Sequence, residues 1–194
     1  MKPEPMPPLS HARQAWPLVR CPPYKRDRLT VAYHEAGHAV LCATFSLPFI
    51  GVSVFVDDST AEQPADTIAG AVRLAEYKPP PERPEATEHD GLALAAVLVG
   101  GIQCELLLHR LPCPGWLGIA TQDYTQARAA LRLACGHELG LYFAQQLARH
   151  VLTTRWSAVA EVAGRLHEHG QIEAGEVFEL LGEWRQPPAQ ARAT

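Results

Sequence analysis

The chain has 194 residues, of which 47% are hydrophobic, and its formal net charge is −4. This length and apolar content suffice for one globular domain and leave little room for a second. Lys and Arg are scattered along the chain, without the basic stripe that phosphate backbones or anionic lipid surfaces attract. We therefore expect no nucleic-acid partner.

Residues 1–26 are rich in proline, which predicts an irregular N-terminal arm. The arm has neither an apolar signal core nor a small-residue cleavage site. No stretch reaches the roughly 18 uncharged apolar residues that a bilayer-spanning helix needs, so we expect no membrane insertion by this chain. Five cysteines without a C-x-x-C pair fit reduced, buried thiols and a cytoplasmic location. They are Cys21, Cys42, Cys104, Cys113 and Cys135.

The first predicted helix begins at a cap, Asp27 or Thr30, and runs to about Phe45. Six of its residues recur at intervals of three or four, which predicts that their side chains share one face of the helix. These residues are Val31, His34, Glu35, His38, Leu41 and Phe45. Gly37 lies inside this helix at a cost of about 1 kcal/mol relative to Ala, which suggests that another backbone approaches closely there.

A two-stranded hairpin is predicted next. In "FIGVSVFVDD", Ile50, Val52, Val54 and Val56 alternate with Gly51, Ser53 and Phe55, which is the period of a strand. The segment "IAGAVRLAEY" is its predicted antiparallel partner across the polar loop 57–66. Residues 78–86 are too dense in proline for a helix or a central strand, so they are predicted to connect along the surface.

The second half of the chain is predicted to be helical. Thr87 and Asp90 resemble a capped start of a nearly all-apolar helix to about residue 110, the most buried element expected. After the turn-rich loop 111–120, Thr121 is the predicted N-cap of a helix that Gly136 closes. Residues 139–181 are predicted to form a helical hairpin or bundle, broken near Gly170.

Together these elements predict an α+β fold that is predominantly helical. It would combine the first helix, a small antiparallel sheet and a C-terminal helical bundle in one domain over residues 27–182. Residues 183–194 would form a flexible tail.

The stretch "VAYHEAGHAV", residues 31–40, carries the pattern H-E-x-x-H. Residues four apart on a helix lie about 5–6 Å from each other, so His34 and His38 can direct ring nitrogens at one metal ion. Imidazole suits zinc, and Glu35 would stand beside the metal as a base for the water that the metal activates. The alternative is a pair of hydrogen-bonded histidines at the edge of the core, with Glu35 as an ordinary solvated charge.

Four segments resemble the peptidase domain of the FtsH-type ATP-dependent zinc proteases. "VAYHEAGHAVL" resembles that family's zinc helix, and "LAAVLVGGIQCELLL" resembles its Gly-Gly segment with the acidic residues that follow. "GIATQDYTQARAAL" is similar to the segment with the third metal ligand. "RHVLTTRWSAVAEVAGRLHEHGQIEAGEVFELL" is similar to the closing helices, so the resemblance spans about residues 27–181.

The resemblance implies a zincin-like active-site helix and Zn²⁺ as cofactor. It assigns His34 and His38 as ligands, Glu35 as catalytic base, and Asp123 as third ligand, 85 residues beyond His38. Asp123 also fits an acidic first-turn residue that the helix dipole favours, and the two roles are compatible. The acidic position Glu105 is hypothesised to accept the ring N–H of a ligand histidine. The alternative is that Glu105 is a charged residue at the end of the solvent-exposed face of its helix.

The chain also departs from that family. FtsH proteins carry transmembrane segments and an ATPase module before this domain, whereas 33 residues precede His34. No G-x-x-x-x-G-K-[ST] phosphate loop occurs, so we do not expect this chain to unfold stable substrates alone. Gln122 replaces the usual Asn, and Ile102 stands where Arg is frequent. These changes bear on ring contacts and substrate handling more than on zinc chemistry.

The leading functional hypothesis is a stand-alone zinc metalloendopeptidase that hydrolyses flexible segments of a protein or peptide substrate. The substrate backbone would add to the edge of the hairpin formed by residues 50–56. One alternative is a catalytically idle zinc-containing regulatory or binding module, although a structural zinc site needs no base such as Glu35. Another is a peptidase subunit fed by a separate ATPase, and a homo-oligomer is also left open.

Overall fold

The computed structural model describes residues 27–56, 68–74, 88–112 and 121–182. Several predictions fall outside the described residues: the N-terminal arm, the loop 57–66, the connection 78–86, most of the loop 111–120, the tail, Thr87, Cys21 and Cys113. The described part contains six helices and one small antiparallel sheet of three strands, which confirms the predicted α+β, predominantly helical class.

The elements, in chain order, are α1 Arg28–Thr44, β1 Phe49–Val56, β2 Ile68–Leu74, α2 Glu88–Leu108, α3 Gln122–Cys135, α4 Leu141–Thr154, α5 Trp156–His169, β3 Gln171–Glu173 and α6 Ala174–Leu180. Helix ends follow the predicted local signals. The Asp27 carboxylate accepts a hydrogen bond from the Thr30 amide at 2.7 Å, so Asp27 is the N-cap of α1. Thr121 caps α3, and Gly136 ends it in the left-handed conformation with φ of 74°.

The sheet has the order β2-β1-β3, with both pairs antiparallel. The predicted hairpin of β1 and β2 is confirmed. Strand β3 lies where the sequence predicted only helical material, directly after the predicted break at Gly170. Because β3 pairs with Gly51–Ser53, β1 is the central strand rather than an edge strand. Among the described residues, β2 pairs only with β1, so β2 carries the open edge of the hairpin.

The predicted alternation along β1 is correct in its middle and wrong at its start. Val52 and Val54 are buried, but Ile50 is 51% exposed and Phe49 is buried in its place. The pairing register of β1 with β2 shifts between Phe49 and Gly51. A bulge adds one residue to one strand. The residues that precede it therefore face the opposite side of the sheet from the one that regular alternation predicts. Phe49 therefore packs against Phe178 of α6, with ring centroids 5.6 Å apart.

Helix α1 lies at the centre of the domain. Its sequence predicted one buried stripe, yet nearly all residues from Thr30 to Cys42 are buried. Helices α2 and α5, together with strands β1 and β2, surround it. The predicted close approach at Gly37 is confirmed, because a Cβ there would lie 2.8 Å from the Gly100 carbonyl oxygen of α2. This contact between α1 and α2 brings the motif helix next to the Gly-Gly segment.

Helix α2 is the apolar core helix that the sequence predicted. Within the described residues it alone passes a test of length and mean hydropathy for a membrane span, over His89–Leu108 with a value of 2.0. The expectation of no such stretch rested on charge, since Glu105 ends the apolar run "GLALAAVLVGGIQC". Of the tested window, 72% is buried inside the domain against α1, α3 and α4. Most of its apolar surface is therefore covered by other parts of the described chain.

Candidate metal centre

His34 and His38 lie one turn apart on α1 and face the same side. Their Nε2 atoms are 3.1 Å apart, and the residues are only 6% and 8% exposed. This is the arrangement that the four-residue spacing predicted. Two buried imidazole nitrogens in such close contact need a proton or a metal cation between or beside them.

Asp123 provides a third donor atom. Its Oδ2 atom lies 3.2 Å from His34 Nε2 and 3.9 Å from His38 Nε2. The Thr121 cap starts α3 just before this residue, so the carboxylate sits in the first turn and also meets the favourable end of the helix dipole. Helix α3 packs on α2, which in turn packs on α1, and this layering joins residues 85 apart in sequence.

Hydrogen bonds at the far ring nitrogens orient both histidines. His34 Nδ1 donates to the Glu105 carboxylate at 2.5 Å, and His38 Nδ1 donates to the Val97 carbonyl oxygen at 2.7 Å. A carbonyl oxygen and a carboxylate can only accept, so each Nδ1 carries the proton. In the neutral rings both Nε2 atoms therefore present lone pairs to each other and to the carboxylate of Asp123.

This group of electron-rich atoms needs a positive charge. Burial lowers the pKa of His34, but hydrogen bonds with Asp123 and Glu105 outweigh it and raise that pKa. Burial and the neighbouring charge of His34 lower the pKa of His38. A single cation among the three atoms, either a proton on His34 or a metal ion, removes the repulsion between their lone pairs.

The residues fit a metal ion. The Nε2 atoms of His34 and His38 are 3.1 Å apart, and Asp123 Oδ2 lies 3.2 and 3.9 Å from them. A point about 2 Å from all three therefore exists, which matches zinc–nitrogen and zinc–oxygen bond lengths. Gly101 of α2 leaves the space, because an added Cβ would lie against both Nε2 atoms. Among the described residues, no fourth acidic, histidine or cysteine ligand joins the group, and three protein ligands are typical of catalytic zinc.

Glu35 lies beside this centre without belonging to the ligand group. It is 5% exposed, and its charge contributes to raising the pKa of His34. Gly70 of β2 lies against it, because an added Cβ there would overlap Glu35 Cγ. The alternative of an ordinary solvated charge is therefore wrong for Glu35.

The structure also decides between the alternatives for Glu105. Glu105 is fully buried, so it is not a charge on a solvated helix face. It accepts from a ring nitrogen, as the hypothesis required, and the ring belongs to His34. Sequence reasoning did not find the Val97 carbonyl, since no side chain marks a backbone acceptor. It also missed Gly101, although two adjacent glycines inside an apolar helix signal close packing.

A buried polar cluster holds α3 near the centre. The Tyr124 hydroxyl, next to Asp123 in sequence, accepts from Gln103 Nε2 at 3.0 Å and donates to Gln145 Oε1 at 3.1 Å. All three side chains are at most 1% exposed. The cluster ties α2, α3 and α4 together by directional bonds, which fix the first turn of α3 more closely than apolar packing alone.

No family model matches the chain, and no curated protein matches it. The resemblance to the FtsH peptidase domain therefore stays a prediction from the sequence segments.

Proposed function

We propose that this chain is a zinc metalloendopeptidase that hydrolyses peptide bonds in flexible protein segments, with Glu35 as its base. The observation that carries the proposal is the convergence of His34, His38 and Asp123 on one point beside a buried glutamate. Each of the three offers one donor atom to that point. A purely structural zinc site would have no use for Glu35 and would usually hold a fourth protein ligand.

Zinc bound there would polarise the scissile carbonyl and lower the pKa of the attacking water. The chain's own groups do the rest. The Glu35 carboxylate takes the water's proton and delivers it to the leaving amine. Glu105 and the Val97 carbonyl keep His34 and His38 in the tautomer whose Nε2 lone pairs face the metal.

Within the described ranges the outer edge of β2 has no strand partner, which supports the peptide character of the substrate. An extended peptide can add to an exposed strand edge through main-chain hydrogen bonds. Strand β2 contacts Glu35 at Gly70, so a peptide on this strand would run close to the proposed base. Since this binding mode needs an extended segment, we expect flexible chains to be cleaved and folded ones to resist.

We further propose that the protein works in the cytoplasm. Cys42 and Cys104 are buried free thiols, and burial raises the pKa of Cys42 to about 12. Cysteines that form no disulfide are typical of proteins in a reducing compartment.

The test compares the wild type with Glu35→Gln and Asp123→Ala on an unstructured casein-like substrate. Glu35→Gln should keep its zinc and lose at least about 100-fold in hydrolysis, since general base catalysis contributes that much. Asp123→Ala should lose zinc, as measured by metal analysis after dialysis. Undiminished cleavage by Glu35→Gln would overturn the mechanism. A wild type that holds zinc and cleaves nothing would support the idle module instead.

A further inference from the structure

Gly70 of β2 lies directly against the side chain of Glu35. It pairs with Val54 of β1, and directly opposed residues of an antiparallel pair point to the same face of the sheet. Val54 is 4% exposed and faces the core, so position 70 faces α1. A Cβ at position 70 would overlap Glu35, with the carboxylate carbon and Oε1 each 2.6 Å away. The carboxyl group therefore occupies the space that any side chain at position 70 would need.

The backbone of Gly70 does not itself require glycine. Its φ lies outside the left-handed region, in contrast to Gly136 and Gly170. Glycine inside a strand loosens it, because the unfolded chain loses more freedom and no side chain packs. The close approach of Glu35 is thus the feature of this structure that glycine at position 70 accommodates.

We propose that Gly70 is a positioning residue, which sets where the Glu35 carboxylate stands by leaving the space beside it free. This inference rests on the proposed function, in which Glu35 is the base. Any side chain at position 70 would displace the carboxyl group, because its Cβ would overlap Glu35 Cγ and lie 2.6 Å from the carboxylate carbon. A displacement of about 1 Å can cost about 100-fold in rate when geometry is demanding.

The first experiment measures the contact without using activity. The melting temperature is compared for wild type, Gly70→Ala, Glu35→Ala and the double variant, all with zinc present. Gly70→Ala should lower the melting temperature in the wild type, because its Cβ collides with Glu35. In the Glu35→Ala background the same change should have no such effect, because the colliding atoms are gone. An equal fall in both backgrounds would overturn the proposal.

The second experiment measures the consequence for catalysis. Gly70→Ala should keep its zinc and nearly its KM, while kcat falls by about 100-fold. It should cause no further loss in the Glu35→Gln background, because it acts through that carboxylate. Gly164→Ala is the matched control, since a Cβ there meets nothing within 4 Å, and it should keep the wild-type kcat. Wild-type kcat in Gly70→Ala would overturn the positioning role.

The two experiments separate failure of this inference from failure of the proposed function. If Glu35→Gln cleaves as well as the wild type, the proposed function is wrong. The melting temperatures then still decide whether Gly70 sets the position of Glu35.

Discussion

The carboxylate of Glu105 determines which nitrogen of His34 is available to a metal ion. It is fully buried and accepts the Nδ1 proton, so Nε2 keeps its lone pair toward the centre. Glu105→Gln retains the shape but removes the charge that strengthens this bond. Such partners of ligand histidines typically contribute 10–100-fold to metal affinity, so we expect a loss of about that size. Competition with a chromogenic chelator measures it.

The control for this variant is Glu161→Gln, which neutralises a half-exposed carboxylate on α5 in contact with Arg165. It should leave zinc affinity unchanged. If Glu105→Gln binds zinc as tightly as both the wild type and this control, Glu105 has no role in orienting the ligand.

The adjacent glycines of α2 have different neighbours, so we expect their substitutions to affect zinc binding differently. A Cβ on Gly101 would press on the Nε2 atoms of His34 and His38, whereas a Cβ on Gly100 would meet Leu41. Gly101→Ala should therefore abolish zinc binding, because it fills the space between helix and ligands. Gly100→Ala should keep zinc, with any cost falling on core packing. Metal analysis after dialysis distinguishes them, and equal zinc content in the two variants would contradict the assignment.

At the scale of single residues, the sequence predicts part of the metal centre. His34, His38 and Glu35 follow from a spacing within one helix, which local geometry converts into a shared face. Asp123 could be named only through the family resemblance, because no local rule connects residues 85 apart. The adjacent glycines 100 and 101 indicate close packing, but they do not say which side chains approach Gly101. The role of Gly70 depends on how β2 packs on α1, and no pattern near it indicates that contact.

Among the elements, substitutions at the start of strand β1 test whether the bulge is present. Phe49 is 6% exposed and packs on Phe178, whereas Ile50 is half exposed. Phe49→Ala should destabilise the protein by about 3 kcal/mol, the lower range for truncating a buried Phe. Ile50→Ala should cost less than about 1 kcal/mol. Urea unfolding measures both. The reverse order would mean that the regular alternation continues to the start of the strand and that the bulge is absent.

Element ends and element pairings differ in how far the sequence predicts them. Helix ends depend on residues within one turn, so the local sequence identifies them; here these residues are Asp27, Thr121 and Gly136. Strand β3 alternates exposed, buried and exposed residues, but three residues are too few to predict a strand. It follows α5 directly and pairs with β1. The bulge after Phe49 likewise coincides with a contact between Phe49 and Phe178 of α6. Both features come from tertiary contacts.

Across the whole molecule, the proposed metal site joins elements that the chain order keeps apart. His34 and His38 are on α1, Asp123 is on α3, and α2 lies against both helices. The unfolded chain cannot hold the three donor atoms together, since Asp123 is 85 residues beyond His38. Zinc should therefore bind the folded state much more tightly than the unfolded one.

This difference in affinity predicts how zinc affects thermal stability. Free zinc at 100 times its dissociation constant adds about 2.7 kcal/mol to the free energy of unfolding, which for a chain of this size raises Tm by about 5–10 °C. Calorimetry with added zinc or with chelator measures the shift. Asp123→Ala removes the proposed third ligand, which lies on α3, so the same zinc concentration should move its Tm much less. An equal rise in both proteins would show that zinc stabilises the fold elsewhere, and Asp123 would not be the third ligand.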